Sequence, residues 1–202
     1  MSGELERMRE ELNRLIADLY EGEKKILVHG EGARGARVML VGEAPGEQET
    51  LQGRPFVGKA GKNLNEFLEL AGLERNQLYV TNAVKFRPTK ISAAGRTVNR
   101  PPTREEVSLF LPWLRREIEL VAPEIVVTLG NVPLRALMGP RVVIGEVHGA
   151  LRDADGLRLY PMYHPASLIY NPALREVYAA DVRRLAALLD AGDAAKNEIC
   201  EN

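Results

Sequence analysis

Thiols are nearly absent from the 202 residues: there is one cysteine, Cys200, in a polar C-terminal stretch. That excludes a disulfide framework and any site that needs four thiolates from this chain. Apolar runs are short as well, reaching about five residues against the ~18 of a membrane-crossing helix. The opening Met1-Ser2-Gly3-Glu4-Leu5-Glu6-Arg7 is charged and lacks the apolar block of a secretory signal. Neither sign of charge dominates: 27 Lys and Arg face 28 Asp and Glu, a net charge of −1, which argues against wholesale coating by nucleic acid. No internal repeat or low-complexity tract is present. These absences lead to the expectation of a soluble, cytoplasmic, monomeric globular protein with no membrane attachment. A chain of this length buries roughly 70% of its extended surface, enough for a core without staples. One domain is expected over 1–202, with an N-terminal helical region at 1–27 and a polar tail at 190–202.

What is present is periodic. Leu5, Met8, Leu12, Leu15, Ile16 and Leu19 predict an amphipathic helix over 3–20. Apolar stretches at 37–41, 78–81 and 125–129, and a weaker one at 157–161, predict four strands. Helices are expected at about 60–71, with Leu64, Phe67, Leu68 and Ala71 on one face and Gly72 as the stop, and at 131–138 and 174–189. Thr103 opens another, with Glu106 completing a capping box. Segment 85–102, bearing Pro and Arg, reads as a loop. The alternation predicts an α/β fold, a three-layer α/β/α sandwich around a central, mostly parallel four-stranded sheet. Ligands in such folds bind beyond the carboxyl ends of the strands. Those ends carry Gly42-Glu43-Ala44-Pro45-Gly46, Asn82, Gly130 and Tyr163-His164-Pro165.

Charge is unevenly spread. Lys85, Arg87, Lys90, Arg96, Arg100 and Arg104 fall in one stretch without Asp or Glu, which suits either a solvated loop or a polyanion such as DNA.

Four motifs follow one another: Gly42-Glu43-Ala44-Pro45-Gly46-Glu47-Gln48-Glu49, Gly53-Arg54-Pro55-Phe56-Val57-Gly58, Thr81-Asn82-Ala83-Val84-Lys85 and His164-Pro165-Ala166-Ser167-Leu168. Together they resemble the uracil-DNA glycosylase superfamily, specifically its family 4 branch, from about Val28 to Leu188. The resemblance implies hydrolysis of the bond between uracil and deoxyribose in single- or double-stranded DNA, on a base flipped from the stack. It implies that Phe56 stacks on the uracil, that Asn82 reads its edge with an amide donor and acceptor, and that His164 bonds O2 as charge develops. An acid that often activates water elsewhere in the superfamily is replaced here by Ala44, which leaves Glu43 and Glu49 as candidates. Glu49 is also expected beside C5 of the base, excluding thymine. Glu47, like His29 and His148, reads as structural, although the loop at His148-Gly149 lies where it could line the site. Phosphate contacts are expected from Gly58, Lys59, Gly61 and Lys62 at a helix start, from Lys85, Arg87, Arg96 and Arg100, and from Ser167. Leu168 and Ile169 are expected to wedge the duplex.

Two departures stand out. Family 4 members typically carry a 4Fe–4S cluster on four cysteines, and spacing puts Ile16, Leu19, Phe86 and Phe110 near those positions. No cofactor is therefore expected, and hydrophobic contact among these four should replace the cluster. The basic loop is also long. One superfamily branch traps the sugar with a histidine there, whereas this chain has Asn99, a poor nucleophile, so turnover is expected rather than a covalent adduct. The alternatives are a related glycosylase acting on hypoxanthine, xanthine or damaged pyrimidines, and a non-catalytic DNA- or uracil-binding protein. A flavodoxin-like nucleotide module fits less well, because 42–46 has neither P-loop nor dinucleotide glycine spacing.

Overall fold

The computed structural model describes residues 2–33, 35–70 and 72–200, with residues 2 and 193–200 described by backbone alone. Helix α1 (Ser2–Leu19) leads to a short strand β1 (Glu31–Gly32), then β2 (Val38–Gly42), α2 (Glu47–Gln52), α3 (Lys59–Leu70) and β3 (Tyr79–Asn82). Strands β4 (Thr89–Ile91) and β5 (Thr97–Asn99) precede α4 (Arg104–Val121), β6 (Ile125–Leu129), α5 (Asn131–Met138) and α6 (Ile144–Val147). The chain finishes with β7 (Arg152–Ala154), β8 (Leu157–Met162), α7 (Ser167–Tyr170) and α8 (Leu174–Cys200).

Successive side chains of a strand point to opposite faces, and β2 shows the consequence. Val38 and Leu40 join one core with Leu64, Phe67 and Leu68 of α3 and Tyr178, Val182 and Leu185 of α8. Met39 and Val41 join the other, with Leu114, Ile118 and Val121 of α4 and Leu137 of α5. Both faces of the sheet are covered, so the central strands are apolar throughout rather than alternating. This is the expected three-layer α/β/α sandwich.

The sheet has six strands rather than four, in the order β1-β3-β2-β6-β8-β7. The four expected strands form its parallel centre. Two short antiparallel edges, β1 against β3 and β7 against β8, are added. Strands of two or three residues carry too little periodicity to be read from sequence. The chain runs from β2 out to β3 and returns across β2 to β6, so the topological reversal falls at the carboxyl end of β2.

Three further differences concern the expected elements. Segment 85–102 is not all loop: Thr89–Ile91 pairs with Thr97–Asn99 as a hairpin turning through Gly95 at φ 72°. The last helix continues beyond Leu189 to Cys200, through an alanine-rich stretch that favours helix despite its polarity. Ala71, expected on the inner face of α3, lies outside the described residues. The capping box of α4 forms as read: Thr103 Oγ1 accepts from the Glu106 N–H at 3.2 Å, and Glu106 Oε2 accepts from the Thr103 N–H at 2.7 Å.

Candidate active site

Glycine governs what can gather at the carboxyl ends of the strands. A Cβ on Gly42, the last residue of β2, would lie 2.4 Å from Asn82 Oδ1 and 2.5 Å from Phe56 Cζ, so only glycine lets both side chains close over this strand end. A Cβ on Gly61 in α3 would fall 1.8 Å from the Phe56 carbonyl oxygen. Gly130, just after β6 at φ 89°, packs against His164, whose Cβ would be 3.1 Å from an added Cβ.

Phe56 itself has φ 53°, in the left-handed region that a bulky side chain adopts only under constraint. The constraint comes from Arg75, which the sequence reading did not single out. Its Nη2 donates to the Pro55 carbonyl at 2.7 Å and its Nη1 to the Phe56 carbonyl at 3.3 Å. The Phe56 and His164 rings are 6.0 Å apart and tilted by 31°.

These groups line one cleft of about 490 Å³, whose walls include Ala44, Phe56, Asn82, Asn99, His164 and Tyr170. Asn82 is 2% exposed. Its amide has no hydrogen-bond partner among the described residues, so donor and acceptor are both available to a ligand. His164 Nδ1 accepts the Ala166 N–H at 3.1 Å, which puts the ring proton on Nε2. Burial pushes the His164 imidazole down to about 4, only partly offset by the charge of Glu49, so the ring is a neutral donor at physiological pH.

The two candidate acids are held differently. Glu49 accepts from the Gly46 N–H at 3.1 Å and the Gly58 N–H at 2.7 Å, so its carboxylate ties together two loops of the cleft wall. Glu43 is half-buried with no hydrogen-bond partner for its carboxylate among the described residues, and burial raises it above the usual carboxylate range. Ala44, not Glu43, faces the cleft.

The family model of the uracil DNA glycosylase superfamily matches residues 29–186. The chain belongs to that superfamily. It is 38% identical over 173 residues to a "Type-4 uracil-DNA glycosylase" of Sulfurisphaera tokodaii, covering 80% of this chain and 74% of the relative. It is 35% identical to another of that name from Archaeoglobus fulgidus, over 90% of each chain. A "Type-5 uracil-DNA glycosylase" of Pyrobaculum aerophilum is 38% identical over 185 residues, 80% of this chain and 75% of the relative. The crystal structure of Pedobacter heparinus SMUG2 shares the fold at a TM-score of 0.53, with 14% identity over 79% of this chain and 76% of that one. The family 4 likeness read from the motifs therefore holds.

Several expected DNA contacts of this superfamily member are placed elsewhere. Lys85 is not at the surface: it is 1% exposed and ion-paired with Glu117 at 2.6 Å. Lys90, Arg96 and Arg104 of the same basic stretch are exposed, and charge alone could not mark the one that turns inward. Arg100 is committed to both oxygens of Glu106 at 2.6 and 2.7 Å, strengthening the α4 cap. Arg87 bridges Asn99 at 2.6 Å and Glu47 at 3.3 Å on the cleft rim. The Gly58 N–H is taken by Glu49, and Gly61 is buried against Phe56. Lys59 and Lys62, at the start of α3, and Arg96, at the hairpin turn, are exposed. Leu168 is 3% exposed in the core, so it is no wedge. Ile169, at 46%, and Tyr170, at 86%, stand out beside the cleft instead. Tyr170 was missed by the reading, which stopped one residue short. Ser167 is half-buried, its N–H donating to the His164 carbonyl at 2.8 Å. His148 does not line the cleft; its Nδ1 lies 2.7 Å from Asp181 Oδ2, holding its loop to α8.

The residues near the expected cluster positions do not fit an iron–sulfur group. Ile16, Phe86 and Phe110 pack with Leu12 and Val84 in a third buried cluster between α1, the segment after β3 and α4. These side chains offer no iron-ligating atom. The Tyr20, Phe86 and Phe110 rings meet edge to face at 5.5 Å each. Leu19 does not join them; it is 55% exposed, and Tyr20 takes the place expected of it. Among the described residues no group of three or more His, Cys, Asp or Glu is placed to hold a metal ion.

Proposed function

We propose that this glycosylase hydrolyses the N-glycosidic bond of uracil flipped out of single- or double-stranded DNA, and does so without an iron–sulfur cluster. The observation that carries the reading is the meeting of Phe56, Asn82 and His164 on one cleft at the carboxyl ends of the parallel strands. Phe56 offers a ring for stacking. The Asn82 amide matches the O4 and N3–H edge of uracil, whereas cytosine would set donor against donor. The neutral His164 Nε2–H donates to O2. As the bond from C1′ to N1 breaks, its electron pair leaves with the uracil, and these fixed dipoles stabilise the resulting anion.

Water then bonds to C1′ of the cationic sugar. Glu49, whose carboxylate lines the cleft and keeps a lone pair on each oxygen beyond the Gly46 and Gly58 N–H groups, is assigned to orient the water and accept its proton; the carboxylate's charge favours the sugar cation. Asn99 on the rim is an amide engaged by Arg87, so no covalent adduct forms. Lys59, Lys62 and Arg96 supply phosphate contacts, and Ile169 with Tyr170 forms the wedge that holds the base step open.

The test is a set of oligonucleotides each carrying one uracil, hypoxanthine, xanthine or thymine, treated with the protein and then with alkali. Strand cleavage at uracil alone, by a colourless protein with no absorbance near 400 nm, is the expected result. Preferential cleavage at a purine would overturn the substrate assignment, and a brown protein would overturn the cluster-free one.

A further inference from the structure

Beneath the base-reading end of β3 lie two full charges enclosed by protein. Lys85 and Glu117 are each 1% exposed, with Nζ 2.6 Å from Glu117 Oε2. The ammonium has three protons and meets three acceptors: Glu117, Thr81 Oγ1 at 2.7 Å and the main-chain carbonyl of Asn82 at 2.7 Å. Glu117 also accepts from the Tyr79 hydroxyl at 2.9 Å and from Thr81 Oγ1 at 3.1 Å. Arg9 of α1 donates to the Tyr79 hydroxyl at 3.3 Å. Burial alone would raise the Glu117 carboxyl, yet the Lys85 ammonium and these hydrogen bonds hold it below the usual range, while burial lowers the Lys85 ammonium against the pull of Glu117.

Such a pair adds little stability that well-packed apolar side chains of the same volume would not. What a fully satisfied polar network contributes is a single geometry. Here that geometry includes Asn82, the residue whose amide faces the cleft.

We propose that Lys85 is a positioning residue for base recognition: its ammonium, fixed by Glu117 and Thr81, clamps the Asn82 carbonyl and so sets the angle at which the Asn82 amide meets the base. The inference rests on the reading of Asn82 as the base-reading group. It gives Lys85 a task distinct from that of the exposed lysines and arginines, which act on phosphate.

The experiment measures uracil release from a single-uracil oligonucleotide by the wild type, Asn82→Ala, the double variant Lys85→Met/Glu117→Met and the three changes combined. Removing both charges together leaves neither one buried alone. The double variant is expected to unfold at nearly the wild-type temperature. It should keep the KM for DNA and its salt dependence, and lose about a hundredfold in kcat, the loss that a misplacement of about 1 Å produces. In the Asn82→Ala background the same two changes should cost no more than about threefold, since the group through which they act is gone. Thr81→Val keeps the side-chain shape and deletes the hydroxyl that accepts from Lys85 and donates to Glu117. It should give a smaller loss in kcat, again with KM unchanged, and it supplies the same comparison if the double variant folds poorly. Equal losses in both backgrounds, an unchanged kcat, or a raised KM with a shallower salt dependence would overturn the proposal. An Asn82→Ala protein as active as the wild type would instead overturn the reading of Asn82, and the inference with it.

Discussion

His164 is a neutral ring because burial denies it the second proton, and the hydrogen bond from the Ala166 N–H to Nδ1 requires that nitrogen to stay bare. With its folded value at about 4, kcat should be flat from pH 8 to about 5 and fall only on approach to 4, with no inflection near 6.5. A pH–rate profile checks this. The sign for stability is the same. Burial, with the nearby charges of Arg9 and Lys85, also depresses His29 to about 4, so between 4 and 6.5 the unfolded chain binds more protons at both positions. Their contribution is fully present above 6.5 and is lost as pH falls toward 4, which urea titrations across that range would register. Phe56 supplies a second test. Its left-handed backbone costs about 1–2 kcal/mol and is held by Arg75, outside the cleft. Arg75→Ala should therefore lower kcat/KM about tenfold, the equivalent of about 1.4 kcal/mol, and leave the salt dependence of DNA binding intact. Asn82 and His164 were legible because each adjoins a strand end, and Phe56 through the resemblance of its motif. The motifs could not mark Arg75 or the burial of Lys85, which depend on where distant carbonyls and carboxylates come to rest.

The β4–β5 hairpin carries two arginines that look alike in sequence and differ in employment. Arg96 sits exposed at the turn, whereas Arg100 grips Glu106 with two hydrogen bonds. Arg96→Ala should weaken binding to any DNA and reduce its salt slope by about one charge. Arg100→Ala should leave DNA binding unchanged and destabilise the fold by about 1–3 kcal/mol, the scale of a hydrogen bond to a charged group. Binding isotherms at several salt concentrations, with thermal melts, separate the two. The hairpin escaped the sequence reading because its strands are three residues long and almost wholly exposed, so no apolar alternation marks them. The central strands and α4 were legible for the opposite reason: continuous burial and a capping box leave strong local signals.

Three buried clusters hold the molecule together, one on each face of the sheet and a third joining α1 to α4 and the basic segment. The third lies near the cysteine positions of the family resemblance and is filled by rings and aliphatic chains. Phe86, 1% exposed at its centre between Tyr20 and Phe110, should cost about 3–5 kcal/mol when changed to alanine, read as a fall in melting temperature. Chelators should change neither that temperature nor the activity. The apolar residues near the cysteine positions were visible in the sequence. That Tyr20 rather than Leu19 closes the cluster depends on which face of α1 turns inward at its last turn. The central claim is that a base out of its helix is held between Phe56, Asn82 and His164. Its most direct test is the single-turnover rate of uracil release by Phe56→Ala, Asn82→Ala and His164→Ala beside the wild type. Each variant should fold; Asn82→Ala and His164→Ala should lose at least about a hundredfold, as removal of a preorganised donor does, and Phe56→Ala about tenfold or more, from the ~1–3 kcal/mol of a base–aromatic stack. A wild type that releases no uracil, or an Asn82→Ala or His164→Ala variant that keeps the wild-type rate, would contradict the account.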